Sequence, residues 1–126
     1  MKKTQTTDKV KKLGQVFTPP KLVNEMLDKL PKNVWTDPSK TWLDPACGDG
    51  AFLVEVLRRL IEAGGDKKHI IENQIFGIDI DPDAIKECID NLGVKDMNHN
   101  IIVGDALELG DDMGQAFMLH RMCACK

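Results

Sequence analysis

The 126-residue chain has no long apolar run, its longest stretches of consecutive apolar residues being four residues. A membrane-spanning helix needs about 20, so none is predicted. Met1 to Lys12 is basic but lacks the apolar segment of a secretory signal. These two absences predict a cytoplasmic chain with no membrane partner. Internal repeats and low-complexity segments are also missing. Cysteine is present, and Cys47, Cys88, Cys123 and Cys125 could pair in three ways. Without a secretory signal the expectation is reduced thiols. The length suits one domain with one core. At 42% hydrophobic and 29% charged, the composition excludes both a disordered chain and a membrane protein.

The net charge of -3 conceals an asymmetry. Residues 1–40 hold nine Lys and four acids (net +5), and residues 41–126 hold eight Lys or Arg and sixteen acids (net -8). The basic part suits contact with phosphate, although Lys2 to Lys12 reads first as a solvated, mobile terminus over residues 1–13. Thr18-Pro19-Pro20 opens a helix, with Thr18 as its N-cap. Leu22, Val23, Met26, Leu27 and Leu30 form its apolar stripe, and Pro31 stops it. Thr41 to Leu43 is a short strand. A second helix buries Phe52, Leu53, Val56, Leu57, Leu60 and Ile61 and ends at Gly64-Gly65. One helical turn is expected within residues 66–73, then a strand over Gln74 to Ile80. Asp81-Pro82 opens a third helix, with stripe Ala84, Ile85, Cys88, Ile89 and Leu92, which Gly93 caps. Asn100 to Val103 is a third strand. Strands alternating with helices predict an α/β fold with a parallel sheet.

In such sheets ligands bind beyond the carboxyl ends of the strands. Three loops fall there: Asp44 to Gly50, Asp79 to Pro82, and Gly104 to Leu107. In the first, Gly48 and Gly50 allow positive φ and close approach to the backbone. A nicotinamide dinucleotide site would place a third glycine at position 53, which is Leu53. A phosphate-binding P-loop would need Gly-Lys-Ser or Gly-Lys-Thr, which is absent. Asp44 and Asp49 would repel a pyrophosphate and suit a cationic ligand such as S-adenosylmethionine. Asp79 stands 29 residues after Gly50, where a carboxylate accepts the hydroxyls of a ribose. The spacing exceeds the usual value of about 20 because of the extra segment from Gly64 to Asn73. Ile80 would lie on the adenine, and Asp105 would accept from its amino group. Asp81 reads as a helix cap.

The run Gly14-Gln15-Val16-Phe17-Thr18-Pro19-Pro20, followed by Asp44-Pro45-Ala46-Cys47-Gly48-Asp49-Gly50, resembles the start of an adenine-specific DNA methyltransferase. Gly77-Ile78-Asp79-Ile80-Asp81-Pro82 and Gly104-Asp105-Ala106 resemble that family's next two cofactor motifs. The resemblance runs from about Gly14 to Leu107. It implies a Rossmann-like class I methyltransferase fold, here partial, with about three parallel strands and crossover helices. It implies S-adenosylmethionine as cofactor and DNA as partner. Asp44, Ala46 and the Gly48 to Gly50 loop would hold the methionine part, with Thr18 and the backbone at Phe17 at its carboxylate. Asp79 would take the ribose, Ile80 the adenine face and Asp105 the adenine amine.

Such enzymes flip the target base out of the duplex and methylate its exocyclic amine. The resemblance implies a tetrapeptide, Asn/Asp/Ser-Pro-Pro-aromatic, that holds the amine and stacks on the base. No proline follows Pro82, so the tetrapeptide is missing and no catalytic residue is assigned. The expected chain is therefore a cofactor-binding portion over residues 14–109 with an atypical tail over 110–126, truncated or frameshifted near Gly110 and inactive alone. Two alternatives stand beside it: one half of a split enzyme completed by a second polypeptide, and a non-catalytic cofactor-binding module. The family's strand order, 3-2-1-4-5-7-6, would leave strand 1 as an uncovered edge. In the tail, Ala116 to Leu119 is too short for a strand. Cys123, Cys125 and His120 have no second ligand pair, so no metal is assigned. His69 and His99 read as surface side chains, and Cys47 and Cys88 as small buried fillers.

Overall fold

The computed structural model describes residues 19–124, with side chains through residue 120. Residues 1–13, Phe17, Thr18, Cys123 and Cys125 were each assigned a reading in the sequence, and each lies outside the residues or side chains described.

Helix α1 spans Pro20–Leu27, with Pro19 as its N-cap and no side-chain cap. It ends three residues before the predicted Leu30. Val23 and Leu27 are buried, whereas Leu22, Met26 and Leu30 face outward. Three of the five residues of the predicted stripe are therefore unused among the described residues, because α1 packs mainly on helix α2 (Ala51–Glu62). Arg59 of α2 bonds the Asn24 side chain at 2.9 Å and Asp28 at 2.6 Å, and its guanidinium lies over Trp35. Helix α2 buries Leu53, Val56, Leu57 and Leu60. Ile61, predicted inside, is exposed because it lies past the edge of the surface that α2 presents to the sheet.

Strand β1 (Trp42–Asp44) follows a 3-10 turn at Lys32–Trp35 and precedes α2. Residues 67–73 make a full helix, α3 (Lys67–Asn73), and not one turn. Asp66 caps it, accepting from the His69 amide at 2.9 Å. Strand β2 (Ile75–Asp79) leads to α4 (Pro82–Leu92), which Asp81 caps by accepting from the Asp83 amide and which Gly93 ends at φ 70°. Strand β3 (Asn100–Val103) is followed by α5 (Ala106–Leu109) and α6 (Met113–Ala124).

The sheet is parallel, in the order β1-β2-β3, so β1 is an edge among the described strands as the sequence predicted. Asp44 pairs with Gly77, and Asp79 with Val103, so β2 and β3 end level while β1 ends two residues earlier. β2 and β3 are buried on both faces up to Val103, as parallel strands require, whereas the edge strand β1 leaves Leu43 exposed. Ile75 and Ile101 face a large core with α1 to α4, while Ile78 and Ile102 face a smaller one with Phe117 of α6. Phe117 also meets Phe76 edge to face at 5.1 Å. The tail thus continues the fold as a helix, where the sequence offered only a run too short for a strand. Among the described residues no helix is long and apolar enough to cross a membrane.

Two buried polar side chains hold the amino ends of the strands. Gln74 donates to the Lys40 carbonyl at 2.9 Å, and Asn100 donates to the carbonyls of Glu72 and Ile71. His99 is half-buried, not superficial as predicted. Its Nδ1 accepts from the Ile101 amide at 3.1 Å, and its ring lies 5.2 Å from that of His120. The architecture is a partial Rossmann-like α/β fold, as expected from the alternation of elements.

Candidate functional site

The first loop leaves β1 at Asp44 and enters α2 through Gly50. Gly48 and Gly50 have φ of 54° and 90°, a backbone that side chains rarely adopt. The turn closes through the Gly50 amide on the Cys47 carbonyl at 2.8 Å. Asp44 accepts from the Ala46 amide at 3.1 Å, and Asp49 from the Ala51 amide at 3.2 Å. Burial pushes the Asp44 carboxyl above the ordinary carboxylate range. The Ala46 amide opposes that rise, and the nearby Asp79 charge adds to it.

The second loop is tied to the first. The Cys47 amide donates to the Ile78 carbonyl, and the Gly48 amide to Asp79 Oδ2, both at 2.9 Å. Asp79 Oδ1 accepts from the Asp81 amide at 2.9 Å. A buried carboxylate held by two backbone donors is a fixed negative charge at the strand end. The third loop joins through the Gly104 amide on the Asp79 carbonyl at 2.9 Å. Asp105 accepts from the Leu107 amide at 3.0 Å and so caps α5.

Asp44, Ala46, Gly48, Gly50, Asp79, Ile80 and Asp105 are therefore gathered at the carboxyl end of the sheet. Asp79 is the shared node. Ile80 follows this buried carboxylate yet is 52% exposed, an aliphatic side chain with an open face beside a charge. Leu107, next to Asp105, is 94% exposed. Positive-φ glycines, a fixed carboxylate and an open aliphatic face fit a ligand that has a cationic end, a diol and a flat base. S-adenosylmethionine has all three. Among the described residues no group of three metal-ligating side chains exists.

One packing feature escaped the sequence reading. A Cβ on Gly77 would sit 2.9 Å from Leu53 Cδ1 and 3.1 Å from Cys47 Sγ. The room that a dinucleotide fold makes with a glycine on the helix is made here by a glycine on the strand, and Leu53 fills it. The signal was available: an isolated glycine within an Ile- and Phe-rich strand marks close approach of another segment. Asn91 of α4 was also missed, and it donates to the Asp49 carbonyl at 2.9 Å, steadying the loop from the helix side.

Comparison with known proteins gives the family. A curated relative, the type II restriction enzyme and methyltransferase RM.BcgI of Heyndrickxia coagulans, is 26% identical over 114 residues, covering 87% of this chain and 17% of its own length. An uncharacterized adenine-specific methylase of Mycoplasma pneumoniae is 35% identical over 75 residues, covering 51% of this chain and 18% of its own. The chain thus spans less than a fifth of the length of either relative. The family model described as N-6 DNA methylase matches residues 2–120. That match covers nearly the whole sequence and takes in all three loops: this chain belongs to the N-6 DNA methylase family.

Proposed function

We propose that this chain is the S-adenosylmethionine-binding part of a site-specific DNA adenine methyltransferase of the restriction-modification type. The observation that carries the reading is the buried Asp79, whose side chain and carbonyl together hold all three loops at one end of the sheet. Asp44 and the Ala46 to Gly50 turn would hold the methionine part, with Phe17 and Thr18 from the preceding motif. Asp79 would take the ribose hydroxyls, Ile80 the adenine face and Asp105 the adenine amine. The bound cofactor would supply an electrophilic methyl group on a sulfonium. The chain's own residues bind and orient it, and the acidic loop favours its positive end.

The reading includes no turnover by this chain alone. No Asn/Asp/Ser-Pro-Pro-aromatic tetrapeptide occurs in the 126 residues, so nothing is assigned to hold the flipped adenine or its amine. DNA contact and the catalytic motif would come from other polypeptide, in the same protein or in a partner. Names of the relatives support the adenine and restriction-modification parts of the reading.

Calorimetric titration of the purified chain with S-adenosylmethionine is the test, beside a tritium-transfer assay on DNA. Saturable binding with no methyl transfer is expected. Failure of a folded chain to bind overturns the cofactor reading. Methyl transfer by the chain alone overturns the claim of inactivity.

A further inference from the structure

Beneath the cofactor loop lie two thiols on different elements. Cys47 belongs to the first loop, three residues after Asp44 and one before Gly48. Cys88 is in the middle of α4. Both are free and buried, and both belong to the same core cluster. The turn at Gly50 links them, because the Gly50 amide donates to the Cys47 carbonyl at 2.8 Å, and Cys88 is the neighbour that acts most on the Cys47 thiol, pushing its pKa up. Cys88 also underlies the other end of the turn, since a Cβ on Gly50 would lie 2.8 Å from its Sγ. Cys47 in turn touches the strand at Gly77. The pair therefore sits at the junction of loop, strand and helix, and the sulfurs are the groups through which the loop rests on α4.

We propose that Cys47 and Cys88 form an oxidation-sensitive dithiol, whose conversion to a disulfide ties the cofactor loop to α4 and weakens cofactor binding. The inference rests on the cofactor reading given above. The reaction needs a two-electron oxidant such as a peroxide or a diazene. Two S–H bonds break and one S–S bond forms. With diamide as oxidant, both protons and both electrons pass to its N=N bond, which becomes a hydrazine. A disulfide holds its sulfurs at about 2.05 Å, far inside the contact distance of two thiols. Closing that gap draws Cys47 towards α4 and strains the adjacent Gly48 amide away from Asp79 Oδ2. The contact with Cys88 and burial both push the Cys47 thiol upward from its ordinary pKa, so the closed loop reacts slowly. Oxidation proceeds when the loop opens, and a bound ligand that holds the loop closed protects the pair.

The test is diamide treatment of the full chain carrying Cys123→Ser and Cys125→Ser, which leaves the inferred pair as its only thiols. Expected results are loss of two hydrogen atoms in the intact mass and a peptide joining residues 47 and 88. Affinity for S-adenosylmethionine should fall about tenfold on oxidation and recover with dithiothreitol, and the cofactor should slow the cross-link. The further variant Cys88→Ala should show the same affinity for S-adenosylmethionine before and after diamide, whatever its starting value. Thiols that stay reduced while diamide is in excess overturn the cross-link. A cross-link that leaves affinity unchanged overturns its effect on the site. If the reduced chain does not bind at all, the cofactor reading fails, while the mass measurement still decides the dithiol.

Discussion

Replacing Gly77 by alanine tests the packing that lets the Asp44 to Gly50 loop cross β2. The new methyl would stand 2.9 Å from Leu53 Cδ1, 3.1 Å from Cys47 Sγ and 3.2 Å from Cys47 Cβ. Leu53 can swing its terminal methyl, but Cys47 is anchored by its amide on the Ile78 carbonyl at 2.9 Å. The clash therefore falls on a point that cannot yield cheaply, and overpacking of this kind destabilises by about 1–3 kcal/mol. Leu53 is fully buried, so Leu53→Ala alone should destabilise by about 2–5 kcal/mol through the cavity it leaves. In the double variant the methyl added at position 77 enters that cavity. Its destabilisation should fall short of the sum of the two singles by about 1 kcal/mol or more. Urea unfolding followed by the fluorescence of Trp35 and Trp42, fitted with a common slope, gives the three values. Strict additivity, or a Gly77→Ala chain as stable as the parent, would refute the close approach of loop, strand and helix.

Asp79→Ala should act twice. Two amide donors lose a charged acceptor, which should lower stability by about 3 kcal/mol in urea unfolding. Affinity for S-adenosylmethionine should fall about 10- to 150-fold by calorimetry; undiminished stability would show that the carboxylate does not pin the loops. His99 gives a pH dependence. Burial, then the neighbouring His120, holds its folded pKa below 6.5, so the folded state binds fewer protons than the unfolded one. Its contribution is present above pH 6.5 and is lost as pH falls through the folded pKa, when a protonated Nδ1 would face the Ile101 amide. His99→Asn, with an amide oxygen to accept from that amide, should flatten the stability profile below about pH 6.5. Arg59→Met removes the guanidinium over Trp35 and its bonds to Asn24 and Asp28, so α1 should loosen by about 1 kcal/mol, seen as faster amide exchange in Pro20–Leu27; unchanged exchange would show that apolar packing alone holds the helix.

Much of this molecule is legible in local sequence. Alternation of short apolar runs with helix-period stripes names the α/β class, because the two periods are properties of single elements. Asp81-Pro82, Gly93 and the Gly48 to Gly50 turn mark their own boundaries, since each acts through backbone within a few residues. Parallel pairing also follows, since crossover helices leave few other arrangements, while β1 at an edge was expected from the strand order that the family resemblance implies. What the tertiary structure alone decided involves partners far apart in the chain. Leu22, Met26 and Leu30 carry the same periodicity as Val23 and Leu27, but among the described residues the main neighbour, α2, covers only one side of α1. Phe117 gains its burial from Phe76, Ile78 and Ile102, so a tail with no strand signal still packs as a helix. His99 looks polar and superficial until β3 and α6 enclose it. Asp79 was read as a ligand group, and only the folded sheet reveals that it also fastens the loops, because Gly48 reaches it only after β1 and β2 pair, joining the local donor Asp81. Motifs report which groups a ligand would meet; the distance between those groups is set by Gly77 and Leu53, whose fit exists only between two elements and is invisible in either one.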